Sequence, residues 1–481
     1  MLKIPAALVG GLLSLGLLLP SLGHSETSES LKEAAVASVE QQSQKLSDMS
    51  DQIWSFAEIA LNESHSVKVL ADYATEQGFE VQRGVAGLPT AFIASYGSGR
   101  PIIGVLGEFD ALPRLSQAAA PERQTLVEDA PGHGCGHNLF GSASLGAATA
   151  IKRLIEAGRI QGTIRFYGTP AEESIGGKIY MAREGLFDDL DVALSWHPND
   201  TSKMDVSGSQ AMVETIVAFK GKSSHAAFDP WMGNSALDGL ELFTHSLNLM
   251  REHVRPSVRI HYSIIDGGGA PNVVPATASA AVWIRDTKLA DVIPLYERMQ
   301  TMATATATAA QVIATVQLLS GTYDILQNRE AAKLVHANML RLGDITYDDA
   351  DTAFAKRLQN AMGVPEIGLN GRAEPLDLVP TEQTGGSTDV ADVSWIVPTV
   401  DVNIATAPLG IPWHSWGVVA ASRSEFAHKG MHYAAKVLAT TAVDLFTSPD
   451  SIAAIKAEFV QSTNGFSYSA YIPDGPPPIP E

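Results

Sequence analysis

A run of short, wholly apolar segments beginning near residue 79 constrains the fold more than any other feature of this chain. Residues 79–85, 91–96 and 102–107 are continuous rather than alternating in their apolar character, which is the pattern of strands covered on both faces. Further on, 139–156 and 177–184 read as helices, and 163–168 and 192–196 as strands. This alternation predicts an α/β domain in which helices wrap a mixed sheet. Two more helices, over 29–60 and 66–77, precede it.

Near Ala211 the rhythm changes. Strand-like runs at 213–220, 258–265, 279–285 and 312–318 are separated by helical patterns at 235–251 and 289–309. Strand-helix-strand-strand-helix-strand is the order of an α+β ferredoxin-like unit. Because α/β signals resume near Arg329 and run to about Phe446, the unit is an insertion. The expected organisation is one discontinuous domain over 26–210 and 326–446, an inserted domain over 211–325, and a C-terminal extension over 447–481 that ends in a proline-stiffened tail, DGPPPIPE. A chain of 481 residues exceeds one ordinary core. The Ala/Thr run at 302–310 reads as a small-residue helix face packed close to a neighbour.

Residues 1–25 read as an export signal. Lys3 supplies the positive flank, 4–19 supply an apolar run, and small residues at Ser21, Gly23 and Ser25 fit a cleavage site. The run is shorter than the roughly 20 residues a membrane span needs, so the mature protein is expected to be periplasmic or secreted and free of the membrane. The formal net charge of -20, from 53 acidic and 33 basic side chains, repels phosphate backbones, and no basic run offsets it. Nucleic acid is therefore not an expected partner.

A single cysteine cannot form an internal disulfide in an exported chain. Cys135 sits in GHGCGHN, between two glycines and two histidines, a poor core segment and a good ligand segment. GTPAEESIGG follows, with Glu172 and Glu173 adjacent. A metal hydrolase needs carboxylate and imidazole ligands, and also a base that the metal has not consumed; neighbouring glutamates can divide those tasks. His197 ends a predicted strand, His414 lies in PWHSW, and GEFDALP puts Glu108 and Asp110 at another strand end. Open α/β sheets build their sites on that rim.

With GEFDALP, PGHGCGHN, GTPAEESIGGK, GKSSHAAFDPWMGNSALDG, APNVVP, GGSTDVADVSW and HSW in this order, the chain resembles the dinuclear metal-dependent amidohydrolases. These include aminoacylases, glutamate-releasing carboxypeptidases and hydrolases of indole-acetyl-amino acids. The resemblance implies that Cys135, His137, Glu173, His197 and His414 hold two divalent ions, Zn2+ or Mn2+, with Cys135 bridging, and that Glu172 is the general base. Asp110 would orient a ligand imidazole. Many members carry Asp after the ligand histidine where this chain has Asn138; as an orienting partner, an amide there would lower affinity by about 10- to 100-fold. The inserted domain over 211–325 would be a lid or dimerisation domain, from which His225, Asn272 and Arg285 would contact the substrate, with the histidine serving a neighbouring protomer.

The activity so implied is hydrolysis of an amide in a substrate bearing a carboxylate: p-aminobenzoyl-glutamate, an N-acyl amino acid or a dipeptide. A homodimer is expected. The alternatives are a chain that works only within a hetero-oligomer and an exported noncatalytic metal- or peptide-binding protein.

Overall fold

The computed structural model describes residues 1–2, 26–204, 206–379 and 385–479. Apart from Met1 and Leu2, the export signal read over 1–25 lies outside the described residues, as do the last two residues of the proline-rich tail. The chain opens with α1 (Ser28–Phe56), α2 (Ser64–Glu76), β1 (Glu80–Arg83), β2 (Phe92–Ser98) and β3 (Ile102–Gly107). It then alternates α3 (His137–Glu156), β4 (Gly162–Gly168), α4 (Gly177–Arg183) and β5 (Val192–Asn199). Next come β6 (Ala211–Lys220), α5 (Ala236–Arg251), β7 (Arg259–Asp266), β8 (Thr277–Asp286), α6 (Leu289–Ala309) and β9 (Ile313–Thr322). The chain continues through α7 (Arg329–Leu342), α8 (Asp349–Met362), α9 (Val390–Ser394), β10 (Thr399–Ala405), α10 (Trp416–Ala421), α11 (Glu425–Thr447) and α12 (Pro449–Thr463).

The first sheet has the order β1-β2-β4-β3-β5-β10. β4, β3, β5 and β10 run parallel, while β2 is antiparallel to both β1 and β4. One face packs on α1, α3 and α11, and the other on a smaller core around Leu106, Tyr167, Phe187 and Val393. Both faces are covered, which is why these strands are apolar without alternation. α3 lies deepest: 17 of its 20 residues are buried, as expected of a helix with small and apolar residues all round. Its Gly146 leaves room for Leu46 of α1, whose Cδ1 would lie 2.5 Å from an added Cβ.

The second sheet is antiparallel, in the order β7-β8-β6-β9. Numbered within the unit this is 2-3-1-4, the ferredoxin-like arrangement, with α5 and α6 packed against β6 and β8 around Phe219, Phe243 and Val282. Strand β8 alternates buried and half-buried residues because only one face meets the helices. In the Ala/Thr run, Ala303, Thr306 and Ala307 are buried in that interface.

Three readings change. α1 stops at Phe56 rather than Ala60, because Ala57 turns left-handed at φ 45° and donates its N–H to Ile53 O. Beyond Arg329 the expected alternation contains one strand, β10, among helices. The C-terminal extension holds α12, with Ile455 buried and its carbonyl accepting from Asn328. Among the described residues no helix is long and apolar enough to cross a membrane.

Candidate metal centre

Several loops converge at the C-terminal edge of the first sheet, where parallel α/β sheets concentrate their chemistry. Glu108 and Asp110 follow β3 directly, Glu172 and Glu173 follow β4, His197 lies near the end of β5, and His414 lies in the loop between β10 and α10. Cys135 comes from the long connection into α3. There Gly136, at φ 75°, makes a left-handed turn that only glycine adopts without strain and starts α3 on His137. Ala171 (φ 60°) and His414 (φ 55°) occupy the same region without that freedom, a cost of about 1–3 kcal/mol that neighbouring contacts must hold. Buried Glu63 accepts from Ala171 N at 3.0 Å and from Thr90 Oγ1 at 2.8 Å. His414 N donates to Gly134 O at 3.0 Å, tying its loop to the cysteine loop.

The structure brings all five expected ligands together. Donor atoms of Cys135, His137 and His197 lie within 4.8 Å of one another, and so do those of Cys135, Glu173 and His414. The two triads share only the sulfur. Cys135 Sγ is 3.5 Å from His197 Nε2, and His414 Nε2 is 3.5 Å from Glu173 Oε1. A third group, Glu108, His137 and Glu172, meets the same criterion.

Hydrogen bonds fix how these side chains present themselves. His197 Nδ1 lies 2.7 Å from Pro198 O; a carbonyl can only accept, so Nδ1 carries the proton and Nε2 keeps its lone pair toward the sulfur. Burial, reinforced by the charge of His137, pushes the His197 pKa down to about 4 and keeps the ring neutral. His137 Nδ1 is held by Asp110 Oδ1 at 2.9 Å, while Asp110 Oδ2 accepts from Glu173 N at 2.9 Å. One buried carboxylate thus orients the ring of one candidate ligand and the backbone of another.

The pocket holds an excess of acid. Burial, with Asp110 adding to it and His137 opposing, pushes Glu173 up to about 7. Burial and then the charges of Glu108 and Glu173 put Glu172 well above the carboxylate range, and burial and Glu173 raise the Cys135 thiol. Burial alone would lower His137, but Cys135, Glu108 and Asp110 outweigh it and hold its pKa well above the usual imidazole value. Glu108 Oε2, His137 Nε2 and Glu173 Oε1 are buried without a hydrogen-bond partner; His137 Nε2 lies 3.1 Å from Glu108 Oε2, but not in hydrogen-bond alignment. Orphaned polar atoms cost about 1–3 kcal/mol each. Thiol, imidazole and carboxylate atoms aimed at common points are a donor set that divalent cations satisfy.

Asn138 sits elsewhere than its sequence position suggested. Its amide donates to Ser50 Oγ and to Ser422 O, each at 2.9 Å, while Asp110 makes the orienting contact on His137. Arg285 lies with its guanidinium 5.1 Å from the Trp283 ring centre, and its charge depresses the His414 pKa after burial and His137. His225 and Asn272 are paired with each other's loops: Ala226 N donates to Asn272 O, and His225 bridges Val273. His225 Nδ1 accepts from Ala227 N and Phe228 N at 3.2 and 3.1 Å, which leaves Nε2 protonated on an exposed ring. Among the described residues neither His225 nor Asn272 touches the ligand cluster.

Four participants had no assigned role in the sequence reading. Glu63 supports the Ala171 turn, and Lys178 joins Glu108 to Asp389 at 2.6 Å on each side. Lys178 and Asp389 belong to the quoted GGK and GGSTD motifs, and a lysine close after paired glutamates was the available signal.

The peptidase family M20/M25/M40 model matches residues 104–461. The chain is 36% identical over 468 residues to one of the subunits of the p-aminobenzoyl-glutamate hydrolase of Escherichia coli (strain K12), covering 92% of this chain and 97% of that one. It is 29% identical to the Xaa-Arg dipeptidase of Homo sapiens, covering 91% and 93%. Among solved structures, a Bacillus subtilis dinuclear metal binding peptidase from the M20 family superposes with a TM-score of 0.55 at 17% identity, covering 85% of this chain and 99% of that one. The Klebsiella pneumoniae aminobenzoyl-glutamate utilization protein gives 0.57 at 16% identity, covering 82% and 96%. These two likenesses speak to the fold, and the sequence matches to the family: the chain is an enzyme of the peptidase family M20/M25/M40.

Proposed function

We propose that this enzyme hydrolyses the amide bond of N-acyl amino acid-type substrates, among them p-aminobenzoyl-glutamate, N-acyl amino acids and dipeptides, with two divalent cations and Glu172 as general base. The observation that carries the reading is the pair of triads joined at Cys135, with Glu172 beside them and in neither. Bound there, Zn2+ or Mn2+ would polarise the scissile carbonyl and acidify a water toward neutral pKa. His137 and His197 complete one ligand set around Cys135, and Glu173 and His414 the other. Glu172 takes the proton of the attacking water and returns it to the amide nitrogen, which leaves only as a neutral amine.

Arg285 has no carboxylate within ion-pair distance among the described residues, and it receives the substrate carboxylate, a contact worth about 1.5–3 kcal/mol. The protonated Nε2 of His225 and the amide of Asn272 serve the oxyanion in the site of a neighbouring protomer. Exposed Phe228, Trp231, Val273, Ile264 and Ile265 near them, and the edge position of β7, support such a dimer. A hetero-oligomer is the second reading, favoured by likeness to proteins named as the two different subunits of one p-aminobenzoyl-glutamate hydrolase.

The test is a panel of p-aminobenzoyl-glutamate, N-acyl-aromatic amino acids and dipeptides, including one ending in arginine, assayed with Zn2+ or Mn2+ alongside gel filtration. Turnover only after adding a chain similar to the second subunit of that hydrolase selects the hetero-oligomer. Metal uptake without turnover in either setting points to the exported binding protein and ends the hydrolase reading. We also propose that residues 1–25 direct export; an intact Met1 on cytoplasmic protein would sink that.

A further inference from the structure

The first turn of α4 carries a lysine with no exposed surface. Lys178 Nζ donates to Glu108 Oε1 and Asp389 Oδ1, both at 2.6 Å, and its backbone N–H donates to Asp389 Oδ2 at 2.9 Å. The three side chains are at most 1% exposed. Withdrawing such ions from water is expensive, and apolar residues of equal volume often serve a core as well. Stability alone is therefore a weak reason for the trio.

Its location supplies a better one. Glu108 gives one oxygen to Lys178 and turns the other, which has no hydrogen-bond partner, to 3.1 Å from His137 Nε2. Glu172 reaches the same imidazole: donor atoms of Glu108, His137 and Glu172 lie within 4.8 Å of one another. Two carboxylates thus compete for one place. Glu108 is fully buried and tied to a cation, whereas Glu172 is partly exposed.

We propose that Lys178 is the positioning residue that decides this competition: by holding Glu108 Oε1 from behind, against Asp389, it stops that carboxylate from closing both oxygens on a cation at His137 Nε2 and leaves Glu172 as the carboxylate that meets water. Without Lys178 the freed Oε1 of Glu108 also turns to the nearest cation and adds to its coordination. The role of Glu172 rests on the amide-hydrolase reading; the effect on the metal positions rests only on cation binding.

The experiment replaces Lys178 in the full-length chain and reads the visible spectrum of the Co2+-loaded protein as well as turnover. K178M is expected to weaken the Co2+ absorption, as a higher coordination number does, and to lower kcat by about 10- to 100-fold, the scale on which residues behind metal ligands act, with KM within about threefold. E108Q added to K178M removes the freed charge and should restore the spectrum and at least about tenfold of kcat. An unchanged spectrum in K178M overturns the proposal, as does a double variant no better than K178M. If neither variant yields folded protein, the trio belongs to folding and the proposal fails. If the wild-type chain hydrolyses no amide, the spectra still decide the part concerning Glu108.

Discussion

Replacing Glu172 with glutamine separates the two adjacent glutamates. The side chain keeps its size and loses its basicity, and since Glu172 lies outside both Cys135 triads, the substitution removes no atom from either. Metal content should remain at two ions per chain. General acid-base transfer contributes about 10² to 10⁴ in rate, so kcat should fall by that factor, about 2.7 to 5.5 kcal/mol in activation free energy at roughly 1.36 kcal/mol per decade. KM should stay within a few-fold, because the carboxylate of the substrate is met elsewhere. Amine release measured on metal-analysed protein reads both quantities. An E172Q protein that has lost an ion yet keeps its activity per remaining ion would show that Glu172 is the ligand and Glu173 the base.

Three further substitutions probe the supports. Cys135→Ala removes the donor common to both triads, and cation affinity by calorimetric titration should fall by more than the roughly 10- to 100-fold that a supporting residue controls; unchanged affinity would remove the bridging role. Burial and then Asp110 push Glu63 up to about 8, from an ordinary 4.5, so the folded chain binds more protons than the unfolded chain between those values. Its contribution is complete below about 4.5 and is lost as pH rises toward about 8. The urea midpoint of metal-free protein should therefore fall across that range, and less steeply in Glu63→Gln; parallel slopes would contradict this. Tyr468→Phe deletes the hydroxyl that donates to buried Asp392 Oδ1 at 2.9 Å, leaving that carboxyl with Tyr323 N at 3.3 Å. It should cost about 1–3 kcal/mol in urea unfolding, and a loss under roughly 0.5 kcal/mol would show that water replaces the bond.

The C-terminal segment shows one limit of reading the chain by composition. Tyr468 packs on Tyr323, Tyr471 on Tyr296 and Phe466 on Trp395, and Glu458 accepts from Arg329 N and Glu330 N at the start of α7. Those contacts join segments far apart along the chain, so neither periodicity nor local propensity contains them.

The sequence alone determined the kinds of elements, their order and the candidate donor set. Burial on one face or two leaves periods of 3.6 and 2 and unbroken apolar runs, and the ordered motifs carry the resemblance that singled out Cys135, His137, Glu173, His197 and His414 as candidate donors. Tertiary structure decided which side chains face one another. Consecutive residues on a helix point about 100° apart, so Asn138 turns to Ser50 and Ser422 although it adjoins His137, and Asp110, 27 positions away, holds the ring. Lys178 met partners 70 and 211 positions distant, and Glu63 reached Ala171 across 108. A chain can carry candidate donors in short local motifs; the charges that hold them in place balance only where the folded chain brings distant segments into one low-dielectric volume.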